Sequence, residues 1–311
     1  MLSDNIVTDL SYLAVIKVSG DDAESFLNGQ FTSNIEKISE HQLQFSAWCN
    51  PKGQVKTTFY IYRHADNFYI LLPEELKVSF LKRLNMYILR ADVQLTDQSD
   101  SLTRLGLCLE KSDMEQTDIL NRLPDNLAVL PLASTETEIS SRQSRYIIVT
   151  DIEQEKSIRD TLTEQLVDTD SSVWKGLDIK TGVPWLTEKT TEKFLPQMLN
   201  LDLMEALDYQ KGCYPGQEII ARLHYRGELK RNLYLTTCTS KETPDKVTPG
   251  PGASIVSSEN KTVGTVIQAQ TDVETTYLLA VIDNDSIQDT LSLYDTDGSQ
   301  LTISSLFNQT G

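Results

Sequence analysis

The sequence predicts an α+β body followed by a small antiparallel barrel or sandwich, and three observations lead to this fold class. Up to about residue 230, strand-like segments alternate with amphipathic helical segments. From Arg231 onward, short β-rich segments alternate with turn-forming stretches such as 248–252 (TPGPG). The 311 residues, 39% of them hydrophobic and 23% charged, are typical of a globular chain with two or three domains. We therefore predict domains at 1–230 and 231–311.

The first elements form a strand, a short helix and an antiparallel meander. Residues 12–18 have strand composition, and 19–29 predict a helix that is capped at its start and stopped by Gly29. Strands at 44–49 and 54–63 then flank Asn50-Pro51-Lys52-Gly53, where Pro in second and Gly in fourth place favour a type I turn. A third strand at 68–72 completes the meander.

A helix over 74–90 follows, because Leu76, Phe80, Leu84 and Ile88 recur every four residues and predict one face buried against that sheet. The remaining predictions for this domain are strands at 102–110, 127–132 and 145–150, helices at 114–122 and 154–167, and an exposed loop at 133–145. The predicted strands of the C-terminal domain are 232–239, 253–257, 262–269, 276–282, 291–294 and 301–304.

The charge and the cysteines exclude several function classes. A formal net charge of −17 argues against sequence-independent nucleic-acid binding, which depends on neutralising phosphates with Lys and Arg. The four cysteines are scattered without a CxxC pair, so we predict neither a metal site nor a disulfide framework. No segment reads as a secretory leader or a membrane span, and we expect a cytoplasmic protein without membrane contact.

The stretch 211–227 (KGCYPGQEIIARLHYRG) is the segment most suggestive of chemistry. Pro215-Gly216 suits the start of a helix, and Gly227 suits its end. Cys213 therefore precedes a helix N-terminus and follows Lys211 by two residues, and both features favour the thiolate.

Residue types alone leave two interpretations of this stretch open. Cys213 is either a reactive thiol or a small buried hydrophobe, and Glu218 opposes the thiolate. Between residues 211 and 231 there are five Lys or Arg against two acids, which either hold an anionic ligand or form a solvated helix face.

Residues 211–218 (KGCYPGQE) resemble the K-G-C-[FYW]-x-G-Q-E motif of the YgfZ family, folate-binding proteins related to the T-protein (aminomethyltransferase) of the glycine cleavage system. Further segments resemble that family in the same order, so that the resemblance covers nearly the whole chain: 26–35 (FLNGQFTSNI), 47–55 (AWCNPKGQV), 88–93 (ILRADV) and 176–207.

The resemblance implies a T-protein-like body of two ferredoxin-like subdomains around a central channel that holds tetrahydrofolate or a one-carbon derivative, plus a C-terminal antiparallel β-barrel. It implies that activity depends on Cys213, with Lys211 beside it. It also implies that Trp174 stacks on the folate, although a core tryptophan is the simpler interpretation of that residue alone.

Further folate-site residues implied by the resemblance are Gln30, Tyr214, Gln217, Glu218 and Arg222. An alternative for Gln30 is a buried amide that satisfies backbone groups. Glu218 and Arg222 also have the i,i+4 spacing of a helix ion pair.

Two departures from the aminomethyltransferases weaken the expectation of aminomethyl transfer. Those enzymes carry Leu-Glu-Ala-Gly where this chain has residues 179–182 (IKTG), and they carry an aspartate after an Asn-Ala segment where this chain has 71–79 (LLPEELKVS). Proton transfer during C–N cleavage needs such a positioned acid or base. A second folate-contacting aromatic of some members falls near Leu13 and is absent here.

The function implied by the resemblance is that of a tetrahydrofolate-binding accessory protein for iron-sulfur cluster assembly or repair. Its partners would be iron-sulfur enzymes and A-type iron-sulfur carrier proteins, and its support of tRNA thiolation would be indirect, without direct nucleic-acid binding. Two alternatives stay open: a folate-dependent one-carbon transferase, which is the enzyme class to expect if the protein is an enzyme, and direct tRNA binding with base modification.

Overall fold

A computed structural model of the protein describes residues 5–111, 118–124, 127–133, 142–239, 249–293, 300–304 and 306. The helices that lie wholly within the described residues are α1 (Ala23–Asn28), α2 (Lys77–Asn85), α3 (Glu155–Thr163), α4 (Ser171–Thr181) and α5 (Gln217–Arg226). The strands are β1 (Ile6–Asp9), β2 (Leu13–Ser19), β3 (Gln44–Cys49), β4 (Val55–His64), β5 (Asn67–Pro73), β6 (Gln94–Asp97), β7 (Leu102–Glu110), β8 (Ala128–Pro131), β9 (Gln143–Asp151), β10 (Val167–Thr169), β11 (Arg231–Thr239), β12 (Ser254–Ser257), β13 (Thr262–Asp272), β14 (Thr275–Asp283), β15 (Leu291–Leu293) and β16 (Gln300–Ser304).

The chain divides into two compact units, each built from several stretches of sequence. The first comprises 1–28, 34–45 and 59–174, and the second comprises 29–33, 46–58 and 175–311. The division predicted at residue 230 stays a prediction.

One sheet of the first unit has the strand order β10-β1-β7-β9-β8. β1 runs parallel to β10 and antiparallel to β7. Leu105 and Leu107 alternate along β7 and share a buried cluster with Ile158 and Leu162, which lie one turn apart on α3. Alternate residues of the strand and residues one turn apart on the helix thus pack together in one apolar core.

A second sheet has the order β3-β4-β5-β2-β6. β3, β4 and β5 are neighbours in it as the predicted meander requires, and β4 pairs antiparallel with β5. Helix α2 packs on this sheet as predicted: the rings of Phe80 and Phe59 have centroids 6.2 Å apart in an edge-to-face arrangement. The helix is shorter than the predicted 74–90. A 3-10 turn at Glu74–Leu76 precedes it, and after Asn85 the chain continues in separate turns.

The C-terminal region forms a closed antiparallel barrel in the order β11-β14-β13-β12-β15-β16, which confirms the barrel prediction. Its core includes Ile255, Val266, Leu278 and Ile282, and its first strand begins at Arg231. Closure removes the exposed strand edges that an open sheet would present.

Three sequence predictions lie partly or wholly outside the described residues: the helix at 114–122, the loop at 133–145 and the end of the strand at 291–294. Within the described ranges, no helix has both the length and the apolar character that a membrane crossing requires.

Candidate functional site

Two tight turns of the second unit meet backbone to backbone at the start of α5. Gly216 caps this helix in a left-handed conformation, with φ of +83°. A Cβ on Gly216 would lie 2.5 Å from Gly53 Cα and 2.7 Å from the carbonyl oxygen of Asn50. No side chain fits at Gly216, so glycine here allows the start of α5 to contact the turn at residues 50–53.

Asn50 organises that turn, a role that the sequence analysis did not assign. Its Oδ1 accepts hydrogen bonds from the backbone N–H groups of Lys52 (2.9 Å) and Gln54 (3.1 Å), and the N–H of Gly53 donates to the carbonyl of Asn50 at 2.9 Å. The signal was present, since Asn is favoured at the first position of such turns because its side chain bonds to the backbone two residues on.

Lys211 is a buried cation that joins two segments of the second unit. Its Nζ donates to the carbonyl oxygens of Phe31 at 2.8 Å and Ser33 at 2.6 Å. Its own N–H donates to Asp208 Oδ1 at 3.0 Å. Lys211 therefore fastens the segment that carries Cys213 to residues 31–33, directly after Gln30.

Cys213 is exposed, whereas the other three cysteines are buried. Burial raises the pKa of the Cys49 thiol far above its ordinary range, against a smaller opposite effect of Lys56. Burial likewise raises the pKa of Cys108 to about 11. Of the four thiols, Cys213 is thus the one placed to react with a molecule in solution.

Several buried polar atoms of the second unit have no hydrogen-bond partner among the described residues. They include Gln30 Oε1, Gln197 Oε1 and the hydroxyl of Tyr214, and also the hydroxyl of Thr236 on the barrel strand β11. Each can accept a hydrogen bond, and buried acceptors of this kind normally bind protein, ordered water or a ligand. Each of these atoms could accept a hydrogen bond from an N–H donor of a ligand, such as those of a pterin ring.

The side chain of Tyr214 is buried beside Lys211, whose Nζ lies 5.4 Å from the centre of its ring. Burial is the main cause that raises the pKa of its phenol, and the nearby Cys49, Tyr209 and Asp208 add to it. Tyr214 therefore stays neutral and able to donate or accept one hydrogen bond.

Gln197 was missed by the sequence analysis. Its Nε2 donates to the carbonyl of Ile220 on α5 at 2.8 Å, which ties that helix to the 3-10 turn Pro196–Leu199. An amide inside the otherwise apolar stretch 194–199 (FLPQML) was the available signal, because a buried amide needs partners.

The three candidates on α5 differ in their surroundings. Gln217 is half-buried, and its Nε2 donates to the carbonyl of Lys211 at 3.3 Å. Glu218 and Arg222 are exposed, and in the described part of the chain no ion pair joins them. Both side chains are open to a ligand or a partner.

Trp174 belongs to the first compact unit, at the last residue assigned to it. Its side chain is 1% exposed, and the guanidinium of Arg145 lies over the ring at 4.4 Å from its centre. Gly106 makes room for the ring, since a Cβ there would lie 2.6 Å from it. Trp174 is a core residue in this arrangement, and a stacked pterin would need local movement around the ring.

Lys180 stands where the aminomethyltransferases carry glutamate, and it contacts two residues of the barrel strands. Its Nζ lies 4.0 Å from the centre of the Tyr277 ring and 3.8 Å from a carboxylate oxygen of Asp272. Its charge is therefore already balanced within the second unit.

Among the described residues, no group of three or more His, Cys, Asp or Glu side chains is placed to hold a metal ion.

The whole chain is similar in structure to the glycine cleavage system aminomethyltransferase T from Bartonella henselae. The TM-score is 0.75 at 13% sequence identity, and the match covers 97% of this chain and 86% of that one. Residues 2–114 also match the family model described as the GCVT N-terminal domain. The protein therefore has the aminomethyltransferase T fold.

Two proteins called tRNA-modifying protein YgfZ are similar over most of the chain. The one from Colwellia psychrerythraea is 32% identical over 237 residues, which are 75% of this chain and 72% of the relative. The one from Enterobacter sp. is 27% identical over 299 residues, or 94% of this chain and 90% of the relative. The chain belongs to the YgfZ family.

Proposed function

We propose that this protein binds tetrahydrofolate, or a one-carbon derivative of it, and serves as an accessory protein in iron-sulfur cluster assembly or repair. The observation that carries the proposal is the exposed thiol of Cys213, in a segment that the buried Lys211 fastens to residues 31–33, directly after Gln30 with its unpartnered buried acceptor. The aminomethyltransferase T fold and the relatives named tRNA-modifying protein YgfZ support it.

The folate would be held through hydrogen bonds to Gln30 and Tyr214, whose buried acceptor atoms lack partners among the described residues. Gln217 and Arg222 would contact the polar part of the ligand, and the stacking role of Trp174 stays a prediction. When bound, folate supplies a carrier for a one-carbon unit. The fit rests on the acceptors, because a pterin presents several N–H donors.

Cys213 would act on a cluster that belongs to a client. In this step the Cys213 sulfur would replace one client thiolate on an iron of the cluster, and the proton of Cys213 would pass to the released client thiolate. Iron-sulfur clusters are held by about four thiolates, so one cysteine needs a partner that supplies the rest. A-type iron-sulfur carriers and iron-sulfur enzymes are the proposed partners, in the cytoplasm, and the link to tRNA thiolation runs through those enzymes.

The test is a rescue of cluster-dependent tRNA thiolation in a deletion strain, combined with folate titration of each purified protein. Cys213→Ala is expected to abolish rescue while it binds folate like the wild type. Gly212→Ala is the matched control, because a Cβ at Gly212 has no atom within 4 Å. Full rescue by Cys213→Ala would exclude the proposed role of the thiol.

A second candidate is a folate-dependent one-carbon transferase, which the similarity to aminomethyltransferase T favours. The cation Lys180, bound to Asp272 and Tyr277 where those enzymes carry glutamate, argues against it. Turnover of methylene- or formyl-tetrahydrofolate by the purified protein, undiminished in Cys213→Ala, would favour the transferase.

A further inference from the structure

Exposed apolar side chains lie on α2 and directly after it, although the helix already buries one apolar side. Phe80 and Leu84 are buried at 2% and 0% exposure and pack on the sheet side. Val78 and Met86 are 73% and 71% exposed, and Leu89, in the turns that follow the helix, is 87% exposed. A surface helix normally has one apolar side, so the exposed apolar side chains need their own explanation.

Three exposed residues share one side of the helix: Val78 and Lys82 lie on α2, and Met86 is its C-cap. At about 100° per residue, Val78, Lys82 and Met86 fall within an arc of about 80°, on the side opposite Phe80 and Leu84. The N–H of Tyr87 donates to the carbonyl of Leu84 at 3.0 Å, so the chain keeps turning toward Leu89. We call Val78, Lys82, Met86 and Leu89 the Val78 face.

The charge around this face differs from that of the rest of the chain. Residues 77–91 contain two lysines and two arginines and no acid, in a protein of net charge −17. Lys77 is bound to Glu74 and Asp97, at 2.6 Å and 2.9 Å. Lys82 and Arg90 are exposed, and within the described ranges no carboxylate lies within 4.0 Å of either.

We infer that the Val78 face is a docking surface for another protein, which offers an apolar groove rimmed by Asp and Glu. Clusters of exposed apolar side chains mark interaction sites, and Met and Arg are enriched at protein interfaces. An apolar stripe at helical spacing suits insertion into a groove. Lys82 in the Val78 face and Arg90 near it favour a groove with an acidic rim.

The charge of the chain and the side chains of the Val78 face favour a protein partner over RNA or a membrane. RNA and anionic bilayers are extended polyanions, which would also face the surrounding acidic surface and be repelled by it. A groove with a local acidic rim meets only the cations beside the Val78 face. The apolar side chains of the face, Val78, Met86 and Leu89, are also not aromatic, whereas single-stranded RNA is bound by stacking on aromatic rings.

The first step of the test is to find the occupant in living cells. A photo-crosslinking amino acid replaces Met86, and in the control it replaces Val273, which is 93% exposed between Asp272 and Glu274. The expected result is that residue 86 crosslinks to an acidic, apolar segment of one other protein and residue 273 does not. Crosslinks from residue 86 to RNA, to lipid or to a second copy of this chain would overturn the inference.

The second step measures binding of the purified full-length protein to the crosslinked partner. The double variant Met86→Ser/Leu89→Ser is expected to weaken binding by about 10-fold or more, as loss of central apolar contacts does. Lys82→Glu is expected to weaken it by a factor that shrinks as salt is added. Val273→Ser should bind like the wild type. Unchanged binding by the double variant, at an unchanged thermal midpoint, would exclude the docking surface.

This surface is independent of the proposed cluster role. Failure of the crosslink leaves the Cys213 rescue experiment untouched, and the reverse also holds.

Discussion

The cysteines show how the same residue type acquires different chemistry. Cys49 has no exposed surface and its thiol is held neutral by burial, whereas Cys213 is exposed two residues after a buried lysine. Only a thiolate in contact with solvent reacts readily with a partner or a reagent. Accessibility therefore separates these cysteines more clearly than sequence context does.

We expect iodoacetamide to label the folded protein once, at Cys213, because the other three thiols react only after unfolding. Intact mass measured at neutral pH checks this, and the same reaction in urea should label all four cysteines. Cys213→Ala serves as the control and should take up no label while folded. Rapid labelling of a second site in the native state would contradict the assignment of one accessible thiol.

Lys211 has a structural role in addition to any effect on the thiol. Its ammonium binds the carbonyls of Phe31 and Ser33 in a buried position. Hydrogen bonds to a buried charged group contribute more to stability than neutral ones, and loss of the donor leaves both acceptors without it.

Lys211→Met is expected to lower the free energy of unfolding by about 2–4 kcal/mol, because two buried carbonyls lose a charged donor. Urea unfolding followed by circular dichroism gives the value. Lys193→Met is the matched control at an exposed lysine and should change stability by less than about 0.5 kcal/mol. Equal, small effects of both substitutions would refute the structural role of Lys211.

At the scale of elements, glycine decides where α5 begins. Gly216 contacts Gly53 backbone to backbone and has positive φ, so both its lack of a Cβ and its conformational freedom are used. The turn at residues 50–53 and the start of α5 are consequently one packed feature, although they are far apart in sequence.

Gly216→Ala is expected to destabilise the protein by about 3 kcal/mol or more. The new Cβ would strain the left-handed backbone at residue 216 and would also collide with Gly53. Gly212→Ala, four residues earlier, meets open space and should be nearly neutral. Thermal unfolding of the two variants makes the comparison. A Gly216→Ala protein as stable as Gly212→Ala would show that the turns do not pack as described.

At the scale of the whole molecule, the net charge of −17 bears on the partners that the protein can have. Phosphate backbones bind through Lys and Arg and release counterions, so a strongly negative net charge opposes their binding. The cations at α5 and beside the Val78 face are local exceptions to this negative charge.

We expect no complex between the purified protein and total tRNA in a gel shift at physiological salt. The physical reason is the long-range repulsion between two polyanions, which screening at that ionic strength reduces but does not reverse. A basic tRNA-binding protein run in parallel shows that the RNA is competent. A shifted band that weakens as salt is raised would contradict this prediction and favour the alternative of direct tRNA binding.

Much of the fold was predictable because it depends on local patterns. The strand at 44–49, the turn at 50–53 and the six barrel strands follow from β-rich segments, Pro-Gly spacing and alternating side chains. The end of α2 was not predictable from the sequence, because Ile88 continues the apolar period although the chain leaves the helix after Asn85. Periodicity reports which side is buried but not where the hydrogen-bonded helix ends.

The sequence by itself determined the α+β class, the barrel and the family resemblance, because each depends on local patterns and short motifs, and it made Cys213 a candidate through that resemblance. The tertiary structure alone decided which cysteines are buried, that Lys211 binds the carbonyls of residues 31–33, and that the Val78 face is left uncovered. The physical reason is that burial and hydrogen-bond partners come from segments up to about 180 residues away, whose positions only the folded chain fixes.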